Sequence, residues 1–550
     1  MKKRKYMLLT MVIMMASVLI SCAAKDDSNL PVREETGAFG EEGYVRSATY
    51  FSDEWQVNFW NSEMDDLEEE LAQIKSDGFD SIVLMIPWRE FQPSVEPVEY
   101  NEHAFSMLDK VMEAAKEQDL DVYTRVGYTW DYHEDDKGYV ASRFHDLLRS
   151  EDVRDAWLDY VGTMYRELAK YDNFKYGFLT WEDFWNILNL CKEDDETRRY
   201  NAAALGYIDW VAKNYSLEEY NEEYGTVYSD YTEIILPKKN EPAMYSMYEF
   251  FDESLMKILE ESQEVFPNLS LEVRIDWDVV TDINGEPRYY KHYGTYECAD
   301  SDFTSVMYGI PMGFENVGEK VTYEEAMVKT EYILSELKKN NGGKAVYVEQ
   351  FLFVDNTTAY SHNAKIIEDQ VDNYLENISG ILLNNSEGYG VWTYRDYCRN
   401  IIYNPQFALK LLGWFPEGRV SVKKINGSNA CILKPGSGIS QEVSSLRGYS
   451  SSTEFYVDFE VVQIAKEGGQ LTIQVGSDVK TLEVTEPGVY TVAVNAENGY
   501  NISIKTDCKV GIDNIKLYSH IQSGYLYDIN NNELDCIDSI RKLNQELAEG

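Results

Sequence analysis

The sequence predicts an α/β protein: a (β/α)8 barrel followed by a C-terminal β-sandwich. Three observations predict it. Between residues 45 and 415, apolar runs of strand length alternate with amphipathic helical stretches, the βα order of a parallel barrel. No Gly-rich phosphate loop follows the first predicted strand, which disfavours the runner-up, an open doubly wound sheet. From about residue 420 helical periodicity stops, and short strands separated by Gly and Pro turns take over.

In chain order, residues 55–60 read as the first strand. Leu67, Leu71 and Ile74 sit at helical spacing within 64–76, with Gly78 at the end. Residues 80–88 form a continuous apolar run, as a strand buried on both faces requires. A helix over 104–117, a third strand over 121–130 and a long helix over 151–171 lead to the fourth strand, 174–179. Helical sequence at 197–214 and 241–265 precedes strands five (269–277) and six (303–310). A helix at 322–339, strand seven (345–353), a helix at 364–377, strand eight (388–394) and a closing helix at 405–412 complete the barrel. In the sandwich, strands are expected at 430–433, 453–462, 470–475, 480–484, 488–495, 500–505 and 509–518, with a terminal helix at 537–548. The boundaries that follow are a leader 1–22, a flexible tether 23–43, the barrel 44–418, the sandwich 419–519 and an extension 520–550.

The chain has 550 residues, 44% hydrophobic and 27% charged, enough for a barrel plus a module. A net charge of −46 repels phosphate, so a nucleic-acid partner is not expected. Basic residues at 2–5 precede an apolar stretch at 7–20, too short and wrongly flanked for a membrane span. It ends in Leu19-Ile20-Ser21-Cys22, which resembles a bacterial lipobox. That resemblance implies lipidation of Cys22 and a protein anchored on the extracytoplasmic face of the cell membrane. The other six cysteines form no CxxC pair, a Cys431–Cys508 disulfide stays open, and the six histidines form no HExxH. No metal and no cofactor is therefore expected, apart from a structural calcium in the sandwich of the kind many such modules carry.

Two stretches carry the chemistry. The fourth strand ends in Thr180-Trp181-Glu182-Asp183, and paired carboxylates at the end of a core strand are costly unless used. In strand seven, Glu349 interrupts an otherwise apolar run. The C-terminal ends of barrel strands form the face where barrel enzymes work. Two carboxyls there suit glycoside hydrolysis, in which one must be protonated and the other ionised. Trp181, Phe184 and Trp185 are candidate apolar walls to raise Glu182, and Tyr308 or Arg125 a candidate to keep Glu349 ionised. Asp183 is the second candidate for the acid, although strand alternation points it away from Glu182's side. Arg125, Trp130, Trp181, Asp183, Asp276, Trp277, Tyr308 and Trp392 are candidates for binding substrate. The competing explanation for each carboxylate is a salt bridge at the barrel rim. Aromatic residues make up 13% of the chain, which suits sugar platforms and core packing alike.

These residues give the barrel a resemblance to the clan A glycoside hydrolases. The resemblance implies an acid/base Glu ending strand four, here Glu182, and a nucleophile Glu ending strand seven, here Glu349. It also implies a Tyr after strand six (Tyr308) and a Trp ending strand eight (Trp392). Residues 215–228 are similar to a segment of family 42 β-galactosidases. The clan's usual Asn before the acid/base is replaced by Trp181. At the far end, Gly511-Ile-Asp-Asn-Ile-Lys-Leu-Tyr518 resembles the last strand of jelly-roll carbohydrate-binding modules. The function implied is a retaining glycosidase acting on a polysaccharide or oligosaccharide. The alternatives are a non-catalytic glycan-binding surface lipoprotein and an accessory hydrolase of exopolysaccharide assembly.

Overall fold

Eight parallel strands close into a barrel: β1 Val45–Thr49, β2 Ser81–Pro87, β3 Asp121–Tyr128, β4 Phe174–Thr180, β5 Ser270–Val273, β6 Phe303–Gly309, β7 Ala345–Leu352 and β8 Gly388–Val391. The structure is a computed structural model that describes residues 38–550 apart from 65, 129–141, 276, 299, 311–315, 317, 355–363, 444–452 and 525. Neighbouring strands pair in sequence order, and β1 closes on β8 through Val45–Gly388 and Ala48–Val391. Two expectations for the barrel need correction. Residues 56–60 form a short helix rather than the first strand, and β1 lies ten residues earlier. Val45-Arg-Ser-Ala-Thr is too polar to stand out as an apolar run because Ser47 and Thr49 are buried polar positions within the barrel wall. The closing helix expected at 405–412 is a series of turns.

The terminal helix, Ile537–Glu549, takes over the covering role at the β8–β1 seam. Ile537, Ile540, Leu543 and Leu547 join the same apolar core as the barrel's outward side chains. Asn544 ties the seam by accepting from the Tyr389 hydroxyl of β8 at 2.5 Å and donating to the Asp77 carbonyl at 2.9 Å. Its own carbonyl accepts from Arg46 of β1 at 3.1 Å. A segment read as an appended extension is thus part of the barrel's helical layer.

The barrel lumen is layered along the strand direction. Tyr123, Tyr176, Phe303 and Tyr347 point inward at the N-terminal end and pack around Phe39, which stacks on Phe303 at 4.8 Å. Phe39 lies in the stretch read as tether, so the chain is already packed there. Higher along the strands, the inward positions become polar: Ser47, Arg125, Thr180, Glu272 and Glu349. The Tyr347 hydroxyl marks the border, donating to Ser47 at 2.6 Å.

The C-terminal module is two stacked five-stranded sheets, as expected for a sandwich. One sheet contains β9 Phe415–Glu417, β12 Ser437–Gln441, β14 Gly469–Val475, β15 Asp478–Val484 and β17 Ile502–Thr506. The other contains β10 Val420–Ile425, β11 Ser428–Leu433, β13 Glu454–Ile464, β16 Gly488–Asn495 and β18 Val510–Tyr518. Strands β9, β10 and β12 had no counterpart in the sequence reading; β9 is wholly exposed and β10 alternates half-buried with exposed positions, so neither reads as an apolar run. The module docks on the barrel through buried Glu54, which pairs with Lys516 of β18 at 2.8 Å. All six described cysteines are free, Cys431 and Cys508 included.

Candidate active site

Arg125 is the centre of the site. It projects inward from β3, is 1% exposed, and donates from Nη2 to the Thr180 hydroxyl and to Glu182 at 2.6 Å. The same nitrogen lies 3.0–3.1 Å from both carboxylate oxygens of Glu272. Thr180, the last residue of β4, is a second junction. Its hydroxyl donates to Glu272 at 3.0 Å and accepts from the Glu182 backbone N–H at 3.0 Å. That last bond caps the short helical turn Trp181–Asp183, so β4 stops before Glu182 and a turn, not a strand, presents the carboxylate.

Glu349 enters from the opposite wall. The register of β7 slips against both neighbours, between Tyr347 and Gln350 on one side and between Val348 and Phe351 on the other. Such a bulge re-aims a side chain, and here it centres on Glu349. Strand β8 makes room with Gly390, where a Cβ would stand 2.7 Å from the Glu349 carbonyl. Glu349 is 0% exposed. Burial and then the charge of Glu272 push its carboxyl well above the usual range, and Arg125 only partly offsets this. Glu182 is also raised, by burial first and then by Glu272, against the pull of Arg125. Its side chain keeps 26% exposure, so it faces the opening while Glu349 is enclosed.

The structure therefore brings Glu182, Glu349 and Arg125 together. It adds Glu272 and Thr180, which the sequence reading passed over. Glu272 carries the same signal as Glu349, an acid within a short buried strand, but the strand ends at Val273, before the expected end at 276–277. Arg125 was a candidate to hold Glu349 ionised; its hydrogen bonds go instead to Glu182, Glu272 and Thr180.

Tyr308 faces the other way. Its buried hydroxyl bonds Thr330 of helix Tyr323–Asn340 at 2.7 Å, and its ring stacks on Phe351, in the layer between strands and helices. On β6 it is Phe303 and Ser305, not Tyr308, that share the inward face. The expectation that Tyr308 serves the nucleophile is corrected on that ground.

Trp181 is also turned away from the opening. Its indole donates to Asp252 at 2.8 Å, packs edge-on to His292 at 4.8 Å and lies under the Arg274 guanidinium at 4.9 Å. His292 sits between Asp252 (3.1 Å) and Asp278 (3.1 Å), and Arg274 lies 3.0 Å from Asp278. Burial opposes a charged imidazole, but the two aspartates outweigh it and raise its pKa. This charged cluster backs the turn that carries Glu182, and Arg274 lowers the Glu182 carboxyl. Asp183 is buried on the same turn. Trp277 is half-buried under the Lys291 ammonium at 4.0 Å, and Trp392 is half-buried beside Phe51 at 5.6 Å. Trp130, Asp276 and Cys22 lie outside the described residues. Among the described residues no group of three His, Cys, Asp or Glu has the arrangement to hold a metal ion, and no helix is long and apolar enough to cross a membrane.

No protein-family profile matches the chain, and no curated protein matches it. Among solved structures it is similar to a GH5_18 protein from Bifidobacterium longum subsp. longum in complex with Manb1-4GlcNAc, at 15% identity over 67% of this chain and 73% of that one, TM-score 0.42. It is similar to a GH5_18 protein from Streptomyces cattleya in complex with GlcNAc at 13% identity, over 66% and 72%, TM-score 0.41. An exo-beta-1,4-mannosidase from an Opitutaceae bacterium shares 14% identity over 64% and 52%, TM-score 0.39. Likenesses this distant transfer no activity.

Proposed function

We propose that the protein is a glycoside hydrolase that cleaves a polysaccharide or oligosaccharide with retention of configuration. One observation carries the reading: two carboxyls from opposite walls of the barrel share the polar end of the lumen, Glu182 after β4 on the buried cation Arg125 and Glu349 within β7 against Glu272, which also takes Arg125. Glu182 is the acid/base, because its raised carboxyl can hold a proton and its exposure lets it exchange that proton with water. Glu349 is the nucleophile, enclosed where an attacking carboxylate is shielded from competing water. Glu182→Ala should retain turnover of aryl glycosides with good leaving groups and be rescued by azide with retained configuration. Glu349→Gly with azide should give an inverted product. Near-normal hydrolysis by both variants, across a panel of aryl glycosides and polysaccharides, would remove the assignment.

The membrane and glycan-binding readings belong to the same proposal. The basic, apolar, Leu-Ile-Ser-Cys leader supports a lipid anchor at Cys22 on the extracytoplasmic face. Cys22→Ala should then move the protein from the membrane to the soluble fraction. The sandwich supports a carbohydrate-positioning role by its architecture.

A further inference from the structure

Three carboxylates and one guanidinium share the polar end of the lumen. Their donors are unevenly distributed. Glu182 takes Arg125 directly, and Glu272 takes Arg125 and the Thr180 hydroxyl. Glu349 takes neither: both its oxygens, and Oε2 of Glu272, lack a hydrogen-bond donor among the described residues. The Glu349 side chain instead meets that of Glu272, acceptor against acceptor. Two buried carboxylates cannot face each other this way, because like charges at contact in a poorly solvated site drive a proton onto one of them. A single proton placed between them supplies the missing donor.

Among the described residues, the surrounding elements offer Glu349 no other donor. The charged groups among the described residues that act most on Glu349 are Glu272 from β5, Arg125 from β3 and Glu182 from the turn after β4. Strand β8 contributes Gly390, β6 contributes Ser305 and β1 contributes Ser47, none of them charged. Below lies Tyr347, whose hydroxyl is committed to Ser47.

We propose that Glu272 is a positioning residue that shares one proton with Glu349 and steers Arg125 between itself and Glu182, so that the resting trio of carboxyls holds a single proton. The inference rests on the glycosidase reading for its significance, though not for its test. Retaining hydrolysis needs one proton in the same trio, on Glu182, with Glu349 ionised. Resting and reactive states then differ in which carboxyl carries the O–H bond and in where Arg125 is held. The bond broken on Glu349 is formed on Glu182, net charge is unchanged, and Arg125 is released from Glu182 onto Glu272 as Glu182 is neutralised.

The test is infrared difference spectroscopy of the full-length protein titrated from acid to alkaline pH without substrate. The C=O stretch of a protonated carboxylic acid should persist at neutral pH in the unaltered protein. Glu349→Gln should abolish that component, and Glu182→Gln should leave it. Glu272→Gln should lower its titration midpoint by about one pH unit or more, because the amide donates to Glu349 and removes a like charge. Asp121 and Asp513 also titrate high, so the component is assigned from the variant differences. A spectrum of the unaltered protein without a neutral-pH component, or one indifferent to Glu349→Gln, overturns the proposal even if a variant misfolds. A midpoint unmoved in folded Glu272→Gln overturns the role of Glu272. Absence of hydrolysis with the shared proton present would reject the glycosidase reading alone.

Discussion

The two ends of the barrel lumen are built from the same strands and have opposite characters. On β3 the inward positions are Tyr123 and then Arg125; on β7 they are Tyr347 and then Glu349. At the lower end the rings of Tyr123, Tyr176, Phe303 and Tyr347 close around Phe39 and keep charge out. At the upper end Arg125, Glu272 and Glu349 occupy inward strand positions, and Glu182 joins them from the turn after β4. Buried like charges are unfavourable, so the upper end is tolerable only because the strands are held together from below and from the helical layer. The lesson is a division of labour along each strand: one pleat repeat secures the fold, and the next is free to be unstable on its own and chemically useful.

The sharpest way to break the comparison is to alter each end and read both activity and stability. Glu182→Gln or Glu349→Gln should cost about 4–7 kcal/mol of transition-state stabilisation while the melting temperature changes little, because the fold is secured at the lower end and by the helical layer. Phe39→Ala should do the reverse, costing about 3–5 kcal/mol of folding stability with little change in kcat for the remaining folded fraction. A Phe39 variant that melts normally would mean the lower layer does not anchor the barrel.

An intermediate effect is expected where the two functions meet. Gly390 is the position at which β8 lets the backbone of β7 approach, and an added methyl would meet the Glu349 carbonyl at 2.7 Å and Ser47 Cβ at 3.1 Å. Gly390→Ala should cost about 1–3 kcal/mol of stability by overpacking. It should also lower kcat about 100-fold through displacement of Glu349 by roughly an ångström. Loss of stability without loss of kcat would show that the bulge, rather than Gly390, sets the position of Glu349.

Much of this architecture was legible in the sequence because burial on both faces writes itself as an apolar run. Strands two, four and seven were read from such runs, and so were the acids that interrupt or follow them. What was missed follows a single physical rule. β1 is half polar because Ser47 and Thr49 are buried in the barrel wall as polar residues, so the aromatic stretch at 55–60 looked the better strand although it packs as a helix. Glu272 was overlooked because β5 spans only four residues, too few for periodicity to register. Trp181 was a candidate to bind substrate, yet its direction is decided by a hydrogen bond to Asp252, 71 residues away, which no local pattern reveals. The covering helix of the β8–β1 seam comes from the far end of the chain for the same reason: local sequence states what an element is, and partners distant in sequence decide where it goes.

The smallest effect separates the ends by pH. Asp121 begins β3 at the lower end, and burial, only partly offset by Lys175 at 3.4 Å, raises its carboxyl to about 6. In the unfolded chain the same group titrates near 3.9. The folded state therefore binds the proton more tightly, and the stability this contributes is present below pH ~4 and lost as pH rises through about 6. The side chain is 37% exposed, so solvent screening holds the contribution to about 1 kcal/mol or less. Asp121→Asn should abolish this decline, so the difference in melting temperature between variant and unaltered protein should grow from pH 4 to pH 6 and then level off. Glu349 and Glu182 are raised in the same direction but sit in the enclosed upper end, so Asp121→Asn should leave the pH dependence of activity where it was. A shift of that profile in Asp121→Asn would show that the two ends of the lumen are electrostatically coupled and that the aromatic layer between them does not insulate one from the other.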